Sequence, residues 1–326
     1  MIVSYIPIDG SLRSVPPDGQ TPLSTDAVWI DLSCPTQEEE ALVERAIGIG
    51  IPTREEMVEI EQSSRLYIEN GARYMTASLL CRTTEASPEA TPVTFILAGN
   101  RLITVRYSEP RAFPAVSGHL ARTCPADLTG EMVLVEILEA VIDRGADMLE
   151  QTGMDVDNLS RRVFDQQAEK AGNASQRQRA ILSDIGSKER LVSATRESLA
   201  SLQRLVSFLG TDTGELAVTK ETKASIKSMS RDVAGLSDYA SFISGKLQFI
   251  LDATIGLVGL EQNNIIKIFA VLSVVLMPPT LIASVYGMNF AHMPELQWTY
   301  AYPFTISAMI LSGILPYVFF KWRGWL

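Results

Sequence analysis

Residues 263–290 read NNIIKIFAVLSVVLMPPTLIASVYGMNF, and this stretch decides the architecture. From Ile265 to Tyr286 it carries one charge, Lys267, at its start. About 20 apolar residues suffice to cross the hydrocarbon core of a bilayer. A second run, Ala301 to Phe320, has no charge, and Tyr300, Tyr302, Tyr317, Trp322 and Trp325 stand at its ends, as interfacial aromatics do. The sequence therefore predicts two transmembrane helices, 265–286 and 301–320, joined by the link 287–300 and followed by a basic tail, 321–326. Lys267 lies at one end of the first span, and Lys321 and Arg323 at the matching end of the second. Basic residues favour the cytoplasmic side, so both termini are expected there and the link outside.

Two spans cannot enclose a polar path alone, because backbone in lipid must be satisfied within helices. A path needs several copies around an axis. Asn263, Ile266, Phe269, Ser273, Met277, Thr280 and Ser284 recur at intervals of 3, 3, 4, 4, 3 and 4 and form one stripe on the first span. It is polar at both ends and apolar between. Continued inward it meets Gly259, Gly256 and Asp252, where small residues allow helices to approach closely and a ring of Asp252 would concentrate cations. Neither span holds a carboxylate, so a divalent ion stripped of its water would find no charged cage. Amide, hydroxyl and carbonyl oxygens suit an ion that passes hydrated, since a small divalent cation gives up its water reluctantly. The same Ser, Gly and Thr residues also suit plain helix packing, and spacing alone leaves both readings open.

Upstream the character changes. The chain has 326 residues and a net charge of −10; residues 265–326 carry +2, which leaves −12 for residues 1–264. That balance argues against nucleic acid, whose affinity comes largely from Lys and Arg on phosphates, and suits a surface that meets cations as well as ordinary solubility. Residues 1–128 alternate strand-like and helix-like runs. Strands are expected at Met1–Ile8, Val28–Leu32, Tyr67–Ile68 and Tyr74–Arg82, a helix at Thr36–Gly48, and a hairpin at Pro92–Tyr107 turning on Ala98-Gly99-Asn100. This is an α+β domain without a phosphate-loop glycine pattern. Residues 129–264 are helical: Leu134, Leu138, Val141, Met148, Val156, Leu159 and Val163 mark one face, and Ile181, Ile185, Val192, Leu199, Leu202, Val206 and Leu209 another. With a turn at Gly172-Asn173 they predict an antiparallel coiled-coil stalk. A third helix starts near Thr219 and meets no proline until Pro278. Its 60-odd residues would span roughly 90 to 100 Å and run on into the first span. Cys34, Cys81 and Cys124 are far apart, and with His119 and His292 they write no zinc-type cluster; they are expected as buried small residues in a reducing compartment. Met1–Ile8 lacks the pattern of a secretory signal, which keeps the N-terminal part in the cytoplasm.

Tyr286-Gly287-Met288-Asn289-Phe290, followed by Met293-Pro294-Glu295-Leu296, resembles the CorA family of magnesium transporters. The context makes the likeness specific: Met277-Pro278-Pro279-Thr280 precedes it and Lys321-Trp322-Arg323-Gly324-Trp325-Leu326 ends the chain. Pro52-Thr53-Arg54-Glu55-Glu56-Met57 and Ser64-Arg65-Leu66-Tyr67 look like the family's cytoplasmic domain. The resemblance implies a homopentameric funnel in a bacterial-type inner membrane, taking up Mg²⁺, with Co²⁺ and Ni²⁺ as further cargo. Uptake would be driven by the membrane potential and gated by internal Mg²⁺, with no organic cofactor. It further implies Gly287, Met288 and Asn289 at the outer mouth, Asn289 holding a hydrated cation through its side-chain oxygen. Asn263 and Thr280 would line polar rings, Ile266 and Phe269 an apolar constriction, and Asp252 a ring below it. Glu295 lies in the outer loop. Glu55 and Glu56 match an acidic pair that binds regulatory magnesium between subunits; the partner position falls near Ser228, which is not acidic, and Asp232 stands one turn away.

Two other functions compete. A zinc transporter of the same superfamily would typically carry Ile in place of Met288 and more Cys and His. A membrane-anchored coiled-coil cation sensor would leave the stripe and the outer motif idle. No nucleophile–base pair, phosphate loop or metal-hydrolase signature argues for an enzyme.

Overall fold

The structure is a computed structural model that describes residues 1–15, 23–59, 61–81, 88–164, 174–211, 218–288 and 293–325. It divides into two compact units, Met1–Leu251 and Asp252–Leu326.

The first unit is built on one sheet. Its strands are β1 Ile2–Ile8, β2 Ser11–Val15, β3 Trp29–Ser33, β4 Leu66–Glu69, β5 Ala72–Cys81, β6 Glu89–Ala98 and β7 Arg101–Arg106, in the order β2-β1-β3-β7-β6-β5-β4. The β3–β7 pair is parallel and every other neighbouring pair is antiparallel. The predicted hairpin is β6–β7, with Ala98 opposite Arg101 and Gly99 at φ 59° in the turn. β2 was not anticipated: Ser11, Arg13 and Ser14 dilute its apolar signal, and it follows β1 through Asp9-Gly10, both at positive φ.

Period-two alternation sends the side chains to two cores. Ile30, Leu32, Ile96, Ile103 and Val105 face one side, covered by Val43 of α1 (Gln37–Ile47) and Met57 of α2 (Arg54–Val58). Trp29, Val93, Phe95, Leu97 and Leu102 face the other. There they share a core with Phe113 of α4 (Ala112–Leu120), Leu134 and Leu138 of α5 (Gly130–Phe164) and Leu202 and Val206 of α6 (Ala174–Leu209). α3 is one turn, Gln62–Arg65. α1 forms where expected: Thr36 and Glu39 make a capping box, and Gly48 closes the helix at φ 80°. Gly130 has to be glycine, since a Cβ there would sit 2.3 Å from the backbone nitrogen of Leu102.

The two long series of the predicted stalk are largely buried. All seven apolar positions read on α6 are inside, as are Leu134, Leu138, Met148, Val156 and Leu159 of α5, while Val141 and Val163 are half-buried. Lys188 pairs with Asp155 across the helix pair, and Thr195 returns its hydroxyl to the Leu191 carbonyl. The turn expected at Gly172-Asn173 and the strand end at Arg82 lie outside the described residues.

Two buried charges were missed by periodicity. Arg73, 2% exposed on β5, donates to the carbonyls of Leu209 (2.7 Å) and Thr211 (3.3 Å), so a strand side chain closes the C-terminus of α6. Asp31 on β3 is held by Arg106 at 2.9 Å and by the Thr104 hydroxyl at 2.7 Å. The cysteines correct an expectation: Cys81 is buried, but Cys34 is exposed, at φ 45° just past β3, and Cys124 is half-buried.

α7 runs from Lys220 to Tyr286 as one helix of 67 residues, with Pro278 and Pro279 inside it. The second unit holds its last part, a one-turn 3₁₀ helix at Pro294–Gln297 and α8, Ala301–Trp322. Both α7 and α8 are long and apolar enough to cross a membrane, and 6% and 0% of their most apolar windows are buried within the chain. A helix from a soluble core would bury most of such a window.

Candidate ion path

Every described member of the stripe from Asp252 to Ser284 lies on α7 within the second unit. Ile266, Phe269 and Met277 are 63%, 64% and 68% exposed, while Val271 is 4% exposed. Asp252, Gly256, Asn263, Ser273, Thr280 and Ser284 are exposed and Gly259 is half-buried. Val271, Val275, Pro278, Pro279 and Ile282 recur at helical spacing and form the covered face. At 3.6 residues per turn that face lies roughly opposite the stripe. It is the face that meets α8: Val275, Leu276 and Pro279 line a groove with Met309, Ile310, Gly313, Ile314 and Tyr317. The chain thus spends its own second span on one side of α7 and leaves the other side bare.

Local chemistry shapes both faces. Proline has no N–H, so Pro278 and Pro279 leave the carbonyls of Val274 and Val275 without their helical donors. Gly313 stands against that place; a Cβ on it would lie 3.5 Å from the Val275 oxygen and 3.5 Å from the Pro279 ring. Gly313 was not singled out in the sequence, where it looks like any glycine in an apolar helix. Its one signal is a small residue facing a helix-breaking pair. On the bare side, Ser273 donates its hydroxyl to the Phe269 carbonyl at 2.8 Å, and Thr280 donates to Leu276 at 2.7 Å. Each hydroxyl proton is committed to the helix, so the oxygen can only accept from whatever approaches. Waters bound to a cation point their hydrogens outward and need such acceptors. Added Cβ atoms at Gly256 and Gly259 would meet nothing within 4 Å, which leaves that face open for another helix.

α7 ends at the expected motif. The Gly287 amide bonds to Ala283 (2.9 Å) and that of Met288 to Val285 (3.3 Å), after which the helix stops. Asn289, the residue on which the outer-mouth expectation turns, lies outside the described residues. Glu295 falls in the 3₁₀ turn.

Glu55 and Glu56 begin α2. Glu56 completes a capping box with Thr53: its Oε2 accepts from the Thr53 amide (2.8 Å) and hydroxyl (3.0 Å). Its charge also contributes to raising Tyr67 to about 12, after burial and the Tyr74 and Glu69 charges. Asp232 is exposed on α7 and accepts from the Ser228 hydroxyl at 3.4 Å. No group of three or more His, Cys, Asp or Glu able to hold a metal occurs among the described residues of one chain. One chain alone therefore does not assemble Glu55, Glu56 and Asp232 into a cage.

Known proteins agree with this layout. Residues 24–322 match the family described as CorA-like Mg²⁺ transporter protein. The magnesium transport protein CorA of Salmonella typhimurium is 34% identical over 302 residues, 92% of each chain, and that of Escherichia coli K12 is equally similar. The complete structure of the CorA magnesium transporter from Methanocaldococcus jannaschii superposes with a TM-score of 0.78 at 16% identity, covering 100% of this chain and 99% of that one. The ZntB cytoplasmic domain from Vibrio parahaemolyticus covers 78% of this chain with a TM-score of 0.54 at 14% identity. With its α/β domain and two C-terminal apolar helices, the first of them 67 residues long, this chain is a membrane protein of the CorA family.

Proposed function

We propose that this chain is the subunit of a homopentameric pore that takes Mg²⁺ into the cell across the inner membrane, driven by the membrane potential. The observation that carries the reading is the bare stripe. A chain 34% identical along its length to magnesium transport proteins keeps its own second span off one face of α7. That face alternates oxygen-bearing and apolar residues. Repeated around an axis, it makes rings of Asn263, Ser273, Thr280 and Ser284 separated by rings of Ile266, Phe269 and Met277. The polar rings exchange hydrogen bonds with the ion's water shell, which Mg²⁺ gives up reluctantly. The Asp252 ring concentrates cations at the inner end and the Gly287-Met288-Asn289 loop admits them at the outer. Both termini are cytoplasmic, because Lys267, Lys321 and Arg323 mark the inner ends of the spans.

The test is a flux assay on reconstituted protein with Mg²⁺, Co²⁺, Ni²⁺ and Zn²⁺ presented one at a time under an inside-negative potential. Mg²⁺ flux is expected to dominate and to scale with the potential. Zn²⁺ flux exceeding Mg²⁺, or flux that follows a proton gradient instead, overturns the reading.

We further propose that internal Mg²⁺ regulates the pore from a site between neighbouring copies. Glu55 and Glu56 from one copy and Asp232 from the next would close a site that one chain leaves incomplete. Bound Mg²⁺ then favours the closed state by binding it better. Glu55→Gln, Glu56→Gln and Asp232→Asn together remove the charge while Gln keeps the capping box. Half-inhibition is expected to require about tenfold more internal Mg²⁺, a loss of roughly 1.4 kcal/mol. An unchanged inhibition curve rejects this site and leaves the pore reading standing.

A further inference from the structure

A cavity of about 520 Å³ in the first unit takes no part in the ion path. It opens beyond the carboxyl ends of β3 and β7, the parallel pair of the sheet, where Cys34 and Tyr107-Ser108-Glu109 leave the strands. In open α/β sheets that is where ligands bind, and the volume falls in the range of small-molecule sites. On the side of α5 and α6, Val141, Met148, Leu199 and Leu202 give it an apolar wall beside Arg144, Thr195 and Ser198.

Its charges are unusual for a chain of net −10. Arg54, Arg111 and Arg144 line it, together with Glu89 and Glu109. No ion pair joins these groups among the described residues. Arg54 lies over the Tyr107 ring at 5.2 Å. Arg144 on α5 buries its Nε with no hydrogen-bond partner. Buried guanidinium donors are normally hydrogen-bonded, and Arg144 itself lines the cavity.

A second anomaly is Arg111. It occupies the N-cap of α4, and that helix begins with no side-chain cap. A helix N-terminus carries partial positive charge and favours Ser, Thr, Asp or Asn there. A cation at that place is mildly unfavourable, and an anion seated between them relieves it. The hydroxyls of Thr91 and Ser108, 2.6 Å apart, border the same space.

We propose that this cavity binds a phosphate-bearing small molecule of nucleotide size, with Arg111, Arg144 and the α4 N-terminus on the phosphate and the apolar wall against the remainder. One ligand there supplies an anion both to the uncapped helix and to the arginines that line the space. The proposal is independent of the transport reading, since its readout is binding alone.

Equilibrium dialysis of the full chain in detergent, freed of divalent cations with EDTA, tests it with ATP, ADP, AMP and inorganic phosphate as separate probes. Saturable binding of one nucleotide per chain is expected, tighter than that of inorganic phosphate because the apolar wall contributes. Arg144→Gln is expected to weaken it about tenfold, and Arg111→Gln, at an exposed N-cap where misfolding is not an issue, by a similar factor. Binding of inorganic phosphate as tight as any nucleotide would overturn the nucleotide-size assignment. Absence of saturable binding for all four probes, or unchanged affinity in Arg111→Gln, would overturn the site.

Discussion

Asn289→Ala is expected to abolish Mg²⁺ uptake in proteoliposomes while the oligomer elutes unchanged on size exclusion. The argument is about outer-shell water. Mg²⁺ holds its first shell tightly, so a mouth that admits it must hydrogen-bond to the water hydrogens. A carboxamide oxygen does this without imposing a charge that would trap the ion. α7 stops two residues after Ser284 on the stripe, and Gly287 and Met288 are already outside the helix, so the motif opens just past the last polar position of the stripe. One hydrogen bond contributes about 1 kcal/mol net. Five copies around an axis contribute about 5 kcal/mol, which is between three and four powers of ten in occupancy. Alanine offers no acceptor and leaves the ion to shed part of its shell unaided. Flux within tenfold of wild type, with an intact oligomer, would sink the outer-mouth assignment.

The two spans and the stripe were legible because a helix in lipid obeys a simple length rule and a 3.6 period. The sequence 263–290 states both at once. Which side of α7 receives α8 was not legible, because both sides are apolar and the deciding feature is a contact between Gly313 and the Pro278-Pro279 pair. The hairpin β6–β7 and helix α1 were legible from alternation, a glycine turn and a capping box. α4 was not, since Pro114 and Gly118 interrupt a run of only nine residues. Arg73, Asp31 and Arg144 illustrate the larger limit. A charge in a strand or helix reads as a solvated face, and only tertiary structure reveals that Arg73 closes the distant end of α6. The acidic pair shows the reverse: Thr53-Arg54-Glu55-Glu56 reads equally as a metal site and as a helix start, and the structure gives Glu56 the second role within one chain.

Phe269→Ser is expected to give a pore that leaks Mg²⁺ under high internal Mg²⁺, where the wild type is expected to be shut. Ile266 and Phe269 lie one turn apart on the bare face, between Asn263 and Ser273. In the proposed pentamer they would form two apolar rings that water leaves when the helices draw together, a gate by dewetting. Keeping a Phe side chain out of water is worth roughly 1.5–3 kcal/mol. A third of that per copy, multiplied by five, biases the ring by about 2.5–5 kcal/mol towards the dry state, or from roughly 10²-fold to between 10³- and 10⁴-fold. Serine removes the bias and can return its hydroxyl to the i−4 carbonyl as Ser273 does. Phe269→Leu keeps an apolar ring and is expected to stay shut. The contrast also separates the two readings of the stripe. If these residues serve helix packing alone, Phe269→Ser loosens the oligomer and produces no leak. A leak from an intact oligomer follows only if the face that α8 leaves bare lines the ion path.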